Sequence, residues 1–394
     1  MKKIGIVTPW YGENITGGAE METRDLAKHL REAGVEIEVL TTCVESFSSD
    51  WNKEYHKPGV TAEAGVVVKR FRSDKRDAKA FDAVNYKLMQ GDAISREEQL
   101  IFVDNAVNSQ DLYVYMRENR DDYTAFLFIP YMFGTTYYGC QVNLKKSVLI
   151  PCFHEESYFH MDIFRETFSK VAGIVYNAAP EMELVHSNYE LEDYVREIVM
   201  GIGMDTNVHG QADRFREKYS VKDEFILYAG RKDAGKNVDI LIRYFAEYRK
   251  RNNENIKLIL IGGGNIEIPT SEKDSIIDLG FVDKQDKYDA CAAALCLCQP
   301  STHESFSYVI MESWLCGRPV LVHEGCEVTK DFAIRSQGGL YFKDYFEFEG
   351  CINYYRDNPY VANSMGENGR QFVKDSFDWN VIVSKYSNFL DEIE

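Results

Sequence analysis

Two series of short apolar segments alternate with helix-length segments, and this alternation restricts the chain to an α/β fold. Strands that alternate with helices form parallel sheets, because each crossover returns the chain in the same direction. The first series comprises KKIGIVTPW (2–10), VEIEVLTT (35–42), AFLFIP (125–130), SVLIPCF (147–153) and AGIVYNA (172–178). The second comprises EFILYAG (224–230), IKLILIGGG (256–264), SIIDLGFV (275–282), ALCLCQP (294–300) and PVLVHEG (319–325). We therefore expect two doubly wound halves.

The two series meet near GIGMDTN (201–207), whose glycines and aspartate indicate a turn. A chain of 394 residues is also too long for one ordinary core. We predict an N-terminal domain over residues 1–203 and a C-terminal domain over residues 204–378.

Outside the two series, the sequence pattern predicts few elements. Residues 45–120 are polar and aromatic, and the pattern predicts only a strand at GVVVKRF (65–71) and a helix around 96–118. Helices are expected near the end of the chain at 344–356, 359–375 and 379–393.

The formal charge of −18 is spread evenly along the chain. Residues 1–203 contain 22 Lys+Arg and 32 Asp+Glu, and residues 204–394 contain 23 and 31, which gives −10 and −8. Because no basic region stands out, nucleic acid is not an expected partner. The acidity also argues against strong docking on anionic lipid, so at most peripheral membrane contact is expected, for example through Lys145 and Lys146.

Cysteine usage and hydropathy predict a cytoplasmic protein. The nine cysteines include no Cys-x-x-Cys pair, and several lie in apolar runs such as LCLC (295–298). The N-terminus lacks the long apolar stretch of a signal peptide, and no segment approaches 18 apolar residues.

The segment HESFSYVIMES (303–313) places Glu304 and Glu312 eight positions apart around the start of a predicted helix. A zinc-protease site requires His-Glu-x-x-His, but position 307 is Ser, so this alternative is disfavoured. A solvated helix face is the other alternative. Glu304, however, follows a strand and precedes a helix, where open α/β sheets bind their ligands.

The same helix start is suited to a phosphate. The backbone amides of Phe306, Ser307 and Tyr308, which follow Ser305, would point out of the helix N-terminus and favour an anion. Because the Glu304 carboxylate would repel that phosphate, we expect Glu304 to contact an uncharged, hydroxyl-bearing part of the ligand.

Three further loops follow predicted strands. In GRKDAGKN (230–237), Arg231 and Lys236 flank a tight loop and could bind one diphosphate, although two solvated cations would have the same pattern. Gly17 and Gly18 permit close approach of the backbone to a ligand, or form an ordinary turn. His154 follows a buried strand, a position that favours a functional role over a structural one.

Together these motifs resemble the retaining GT-B glycosyltransferases of family four. The resemblance rests on GGAE (17–20), GMD (203–205), the basic pair in GRKDAGKN and the two glutamates of HESFSYVIMES. It implies two facing Rossmann-like domains with an interdomain cleft. It also implies that the final helix, 379–394, packs back on the N-terminal acceptor-side domain, and that residues 204–378 bind the nucleotide sugar.

The resemblance also implies a role for each candidate residue. Arg231 and Lys236 would bind the donor diphosphate, Glu304 the hydroxyls of the transferred sugar, and Glu312 the ribose. His154 would lie near the donor sugar, and Gly17 and Gly18 near the phosphates and the acceptor. The family often has glycine where Ser305 and Ser307 stand.

The expected activity is transfer of a hexose-type sugar, with retention, from a nucleotide diphosphate sugar to an acceptor hydroxyl. A UDP-sugar is the favoured donor, and a surface glycan or lipid-linked sugar in bacterial polysaccharide synthesis is the expected acceptor. No metal or other cofactor is expected, since the chain has no Asp-x-Asp motif. The alternatives are a catalytically silent nucleotide-sugar-binding subunit and a nicotinamide-dependent oxidoreductase, although GENITGGAE (12–20) and GGGNIE (262–267) both lack the dinucleotide fingerprint.

Overall fold

The computed structural model describes residues 3–15, 17–252 and 255–393. The chain divides into two compact units. One comprises residues 1–203 and 379–394, and the other comprises residues 204–378. Each unit is built around one β-sheet, and all but one of the strand pairings are parallel.

The sheet of the first unit has the order β3-β4-β2-β1-β5-β6-β7-β8. Its strands are β1 (Lys3–Val7), β2 (Ile37–Thr42), β3 (Gly59–Glu63), β4 (Val66–Phe71), β5 (Tyr123–Phe128), β6 (Ser147–Leu149), β7 (Gly173–Tyr176) and β8 (Arg196–Val199). Strands β2, β5, β6 and β7 are buried along their whole length. Near-continuous apolar runs are typical of parallel strands that are covered on both faces.

Seven described α-helices belong to the first unit besides the C-terminal helix. They are α1 (Gly18–Glu32), α2 (Ala78–Gln90), α3 (Arg96–Asn105), α4 (Gln110–Asn119), α5 (Gly134–Gln141), α6 (Asp162–Phe168) and α7 (Ala179–Asn188). The single helix predicted around 96–118 is therefore wrong, because it is two helices. Asn108 donates to the Val103 and Asp104 carbonyls at the end of α3, and Ser109 caps α4.

The sheet of the second unit has the order β11-β10-β9-β12-β13-β14. Its strands are β9 (Glu224–Ala229), β10 (Ile256–Ile261), β11 (Ile276–Gly280), β12 (Cys296–Gln299), β13 (Val320–His323) and β14 (Gly339–Phe342). Its helices are α8 (Ala212–Lys218), α9 (Val238–Asn252), α10 (Lys284–Ala293), α11 (Tyr308–Leu315), α12 (Glu327–Ser336), α13 (Tyr345–Asp357) and α14 (Pro359–Phe377).

The last helix, α15 (Trp379–Ile393), belongs to the first unit. It buries Ile382, Tyr386, Phe389 and Leu390, and it contacts β5, β8 and α1. The Phe389 ring packs directly on β7, since a Cβ added at Gly173 would lie 2.8 Å from Phe389 Cζ. Burial of this apolar face holds the C-terminal segment on the first sheet.

Strands β3, β8 and β14 and helix α2 were not predicted from the sequence. The three strands are at the ends of their sheets, and most of their residues are exposed or half-buried. Strands β3 and β8 lack the apolar runs that identify central strands. Among the described helices, none has the length and apolar character required to cross a bilayer.

Candidate functional site

The strand order of the second unit places two candidate loops side by side. Strands β10 and β11 lie on one side of β9, and strands β12, β13 and β14 lie on the other side. The direction in which strands are added to the sheet therefore reverses, and the switch point lies between the neighbouring strands β9 and β12. The loop after β9 contains Arg231 and Lys236, and the loop after β12 contains Glu304. Open α/β sheets bind ligands beyond the carboxyl ends of strands at such a switch point.

Lys236 and Glu304 meet at this switch point. Lys236 Nζ lies 2.7 Å from Glu304 Oε1, and both side chains are largely removed from solvent. Asn237, which has a φ of 53°, donates from Nδ2 to the Pro300 carbonyl at 3.2 Å and so ties the two loops together. The two residues singled out from separate motifs are therefore in direct contact.

The neighbouring basic residues are arranged differently. The Arg231 side chain is largely exposed and forms an ion pair with Asp233 at 3.4 Å. Lys232, which was not among the predicted site residues, is buried, and its Nζ lies 2.6 Å from Asp278 Oδ1 on β11. Lys232 therefore anchors the loop to the sheet, whereas Arg231 extends toward solvent.

The glycines of GGGNIE pack against this same loop. A Cβ at Gly262 would lie 2.0 Å from the Gly230 carbonyl oxygen, and a Cβ at Gly264 would lie 2.7 Å from the Lys232 carbonyl oxygen. Both glycines also have positive φ values. These glycines therefore allow the loops after β9 and β10 to approach one another.

Helix α11 starts beside Glu304. Ser307 is its N-cap residue, with a φ of 81°, and its Oγ is buried without a hydrogen-bond partner among the described residues. The Phe306 ring is buried against Phe332 and Phe377. Phe306 can therefore offer a ligand only its backbone. Ser305 is half-buried, and Tyr308 is the first residue of the helix.

Glu312 lies inside the second unit. One carboxylate oxygen, Oε1, lies 2.6 Å from Lys287 Nζ on α10. The other, Oε2, is buried and has no hydrogen-bond partner in the described part of the chain. A buried, unsatisfied carboxylate oxygen is costly, and a ligand hydroxyl that donates to it would remove that cost. Lys287 was not identified from the sequence, because it is distant from the glutamate motif.

In the first unit, Gly17 and Gly18 follow β1 and begin α1. Gly17 is the N-cap residue with a φ of 152°, and a Cβ there would lie 2.0 Å from Glu20 Oε2. Glu20 Oε1 accepts a hydrogen bond from Trp10 Nε1 at 2.8 Å. The backbone conformation at position 17 therefore favours glycine, whereas the Glu20 carboxylate is the end of a flexible side chain that could move.

His154 follows β6 in the same unit. Its Nε2 lies 3.1 Å from Glu156 Oε2, and its Nδ1 lies 3.3 Å from the Cys152 carbonyl oxygen. Burial lowers the pKa of this imidazole, but the hydrogen bond to Glu156 and the nearby carboxylates outweigh burial and raise it above its usual value. His154 is thus a half-buried, carboxylate-paired histidine.

Potential metal ligands are dispersed. Within residues 3–15, 17–252 and 255–393, no three His, Cys, Asp or Glu side chains are grouped so as to hold a metal ion. At the switch point, the carboxylate of Glu304 pairs with the ammonium group of Lys236.

Residues 211–372 match the family described as Glycosyl transferases group 1. The second unit contains a glycosyl transferases group 1 domain. This domain includes the loop with Arg231 and Lys236, the Glu304 loop and helix α11 with Glu312.

Similarity to individual proteins extends beyond this domain. A Campylobacter jejuni enzyme is 28% identical over an alignment of 221 residues, which covers 52% of this chain and 55% of that protein. Its name is N-acetylgalactosamine-N,N'-diacetylbacillosaminyl-diphospho-undecaprenol 4-alpha-N-acetylgalactosaminyltransferase. The chain thus spans about half the length of this curated relative.

Two solved structures share the fold over the whole chain. Sucrose-phosphate synthase from Thermosynechococcus elongatus has a TM-score of 0.72 at 16% identity, covering 100% of this chain and 99% of that one. HepE of Anabaena, in complex with UDP and glucose, has a TM-score of 0.68 at 15% identity, covering 99% and 100%. The group 1 domain is therefore part of a GT-B fold with two Rossmann-like domains, as the sequence predicted.

Proposed function

We propose that the chain is a retaining glycosyltransferase that moves a hexose-type sugar from a nucleotide diphosphate sugar to an acceptor hydroxyl. The observation that carries the proposal is the contact between Lys236 and Glu304 at the switch point of a group 1 domain. A cation and a carboxylate held side by side match a donor that joins a charged diphosphate to a neutral, hydroxyl-rich sugar.

In this proposal each residue contacts a different part of the donor. Lys236, with Arg231 and the backbone amides at the start of α11, would neutralise the diphosphate. Glu304 would accept hydrogen bonds from hydroxyls of the transferred sugar. Glu312 would accept from the ribose through Oε2, the oxygen that Lys287 does not contact.

The proposed reaction depends on the positioning of donor and acceptor and on stabilisation of the charge of the leaving group. It does not require a side chain that acts as a general base. As the bond from the anomeric carbon to the diphosphate breaks, the leaving oxygen gains negative charge, which Lys236 would stabilise. The acceptor hydroxyl attacks the same face of the sugar and transfers its proton to the leaving diphosphate. The new bond then keeps the anomeric configuration of the donor.

The donor and acceptor classes are supported by proteins similar to this chain. HepE has been solved with UDP-glucose, which supports a UDP-sugar as donor. The name of the Campylobacter jejuni relative contains a diphospho-undecaprenol acceptor, which supports a lipid-linked sugar as acceptor. We therefore propose a role in bacterial surface glycan or glycolipid synthesis, in the cytoplasm and with at most peripheral membrane contact.

The test begins with a thermal-shift screen of nucleotide sugars. A ligand at 100 times its dissociation constant stabilises the folded protein by about 2.7 kcal/mol, which gives a clear shift. The best donor is then incubated with lipid-linked saccharides, and the anomeric configuration of the product is determined by NMR. A product with the configuration of the donor supports the proposal. An inverted product contradicts retention, and binding without turnover indicates a nucleotide-sugar-binding subunit.

A further inference from the structure

The loop that carries His154 is held at its base by a buried carboxylate. Glu181, in the first turn of α7, accepts from the Phe153 amide at 2.6 Å and from the Asn177 amide at 2.6 Å. These amides follow β6 and β7, which are neighbouring strands. Glu181 therefore joins the carboxyl ends of the two strands and fixes the backbone just before His154.

A second carboxylate contacts the imidazole itself. Glu156 Oε2 lies 3.1 Å from His154 Nε2, and Glu156 Oε1 accepts from the Tyr131 hydroxyl at 2.5 Å. Tyr131 is fully buried, and burial followed by the Glu156 charge raises its pKa well above the usual value, so its hydroxyl stays a donor. Because both oxygens of Glu156 are engaged, the orientation of the carboxylate is fixed.

Both ring nitrogens of His154 face oxygen acceptors. Nδ1 lies 3.3 Å from the Cys152 carbonyl oxygen, and Nε2 lies 3.1 Å from the Glu156 carboxylate. A neutral imidazole has one N–H and can donate to only one of these acceptors, whereas the imidazolium can donate to both. The hydrogen-bond geometry thus favours the charged form.

We infer that Glu156 is a positioning residue that holds His154 as an oriented imidazolium, with Tyr131 fixing the Glu156 carboxylate. The inference rests on the proposed function and on the resemblance to family four, which implies that His154 lies near the donor sugar. A fixed positive charge there favours the transition state, in which the leaving diphosphate gains negative charge. Glu156 acts through His154.

The groups that face His154 determine how its charge depends on pH. Among them, Glu156 in the same loop and the Cys152 carbonyl after β6 favour the cation, and so does Glu181 on α7 in its ionised form, although burial raises the pKa of Glu181 to about 8. Burial opposes them but is outweighed, so the pKa of His154 is raised. Loss of the Glu156 charge should therefore lower this pKa, and the cation would be lost at a lower pH.

The experiment compares E156Q with E155Q. Glu155 is the adjacent residue and lies 2.6 Å from His160 Nε2, so E155Q removes the same charge from a different histidine. The imidazole Cε1–H resonances are titrated by NMR, and H154N assigns the His154 signal. We expect E156Q to lower the pKa of His154 by at least about one unit, the lower end of the usual effect of an opposite charge at this distance. In E155Q the pKa of His154 should be unchanged.

The second measurement is the pH dependence of sugar transfer. In E156Q the rate should fall at a lower pH than in the wild type, by about the change in the pKa of His154, whereas E155Q should follow the wild type. An unchanged His154 titration in E156Q overturns the inference, as does an unchanged pH profile. If the wild type transfers no sugar, the proposed function fails, while the NMR titration still decides whether Glu156 holds the imidazolium.

Discussion

Lys236 Nζ lies 2.7 Å from Glu304 Oε1, so the predicted diphosphate-binding cation and the predicted sugar-binding carboxylate form an ion pair. The two residues are 68 positions apart but lie on loops that follow the neighbouring strands β9 and β12. A diphosphate would compete with Glu304 for the same ammonium group. Binding of the donor would then release the carboxylate to accept hydrogen bonds from the sugar.

The first prediction concerns Glu304→Gln, which keeps the shape of the side chain and removes its charge. Turnover should fall at least about tenfold, because a hydrogen bond to a charged group contributes about 1.5–3 kcal/mol. Binding of UDP alone should be unchanged or tighter, since Lys236 loses its competing partner. Kinetics and calorimetry measure the two effects. Glu367→Gln, which removes an exposed charge 2.9 Å from Arg370, is the control, and equal turnover in both variants would contradict the assignment.

The second prediction concerns the cations of the loop after β9. Lys236→Ala should reduce the transfer rate about a hundredfold or more, the usual loss when one preorganised charge-stabilising donor is removed. Arg231→Ala should act in the same direction, although its side chain is exposed. Arg243→Ala, an exposed arginine on α9 that pairs with Asp239 at 3.5 Å, is the control. Wild-type rates in both test variants, with the fold intact by circular dichroism, would refute the proposed role.

The third prediction concerns the ribose. Glu312 Oε2 should accept from a ribose hydroxyl, so the wild type should bind UDP more tightly than its 2',3'-dideoxy analogue, by about tenfold or more. Glu312→Ala should weaken UDP binding and abolish this discrimination. Calorimetric titration of both nucleotides into both proteins measures the four dissociation constants. If Glu312→Ala still binds UDP more tightly than the dideoxy analogue, the ribose hydroxyls do not contact Glu312.

The central strands could be predicted from the sequence for a physical reason. Central parallel strands are apolar throughout, and ligand loops follow their carboxyl ends, so position along the chain indicates position at the sheet edge. Glu304 and Lys236 were identified in this way. That they touch depends on β9 and β12 being neighbours, which a linear pattern does not specify.

Other contacts of the candidate site residues could not be predicted, because the two partners of each contact are distant in sequence. Lys287 becomes relevant only when α10 packs beside α11 and brings it within 2.6 Å of Glu312. The Tyr131–Glu156 contact likewise links the loops after β5 and β6. Edge strands such as β8, whose residues are exposed or half-buried, have little apolar signal.

The fourth prediction concerns pH and stability. Glu22 on α1 is buried, and burial raises its pKa to about 8, against the weaker effects of Asn177 and Cys152, which approach it at 3.3 and 3.7 Å. The folded state therefore binds a proton that the unfolded state, with the usual pKa near 4.5, has lost. Between these two values the contribution of Glu22 to stability should decrease as pH rises, by up to about 1.4 kcal/mol per pH unit, and should level off above pH 8.

Glu22→Gln tests this relation because glutamine resembles the neutral carboxyl group. Urea unfolding midpoints between pH 5 and 9 should depend less on pH in the variant than in the wild type, and the variant should be the more stable protein at pH 9. Glu190→Gln, which changes an exposed glutamate, should follow the wild type. Parallel curves for all three proteins would show that Glu22 does not carry the expected proton.

The fifth prediction is that sugar transfer persists in EDTA. Metal-dependent sugar transferases commonly hold a divalent ion with an Asp-x-Asp motif, because hard cations require convergent carboxylate oxygens that also bridge to phosphate. The sequence contains no such motif. The charge of the leaving diphosphate must still be stabilised, and Lys236, Arg231 and the amides at the start of α11 are the groups proposed for this role.

Rates are measured in EDTA and after addition of Mg²⁺ or Mn²⁺. Equal rates are expected, because ammonium, guanidinium and backbone N–H groups are unaffected by chelation. Loss of activity in EDTA that either ion restores would show that a metal, and not these residues alone, neutralises the leaving group.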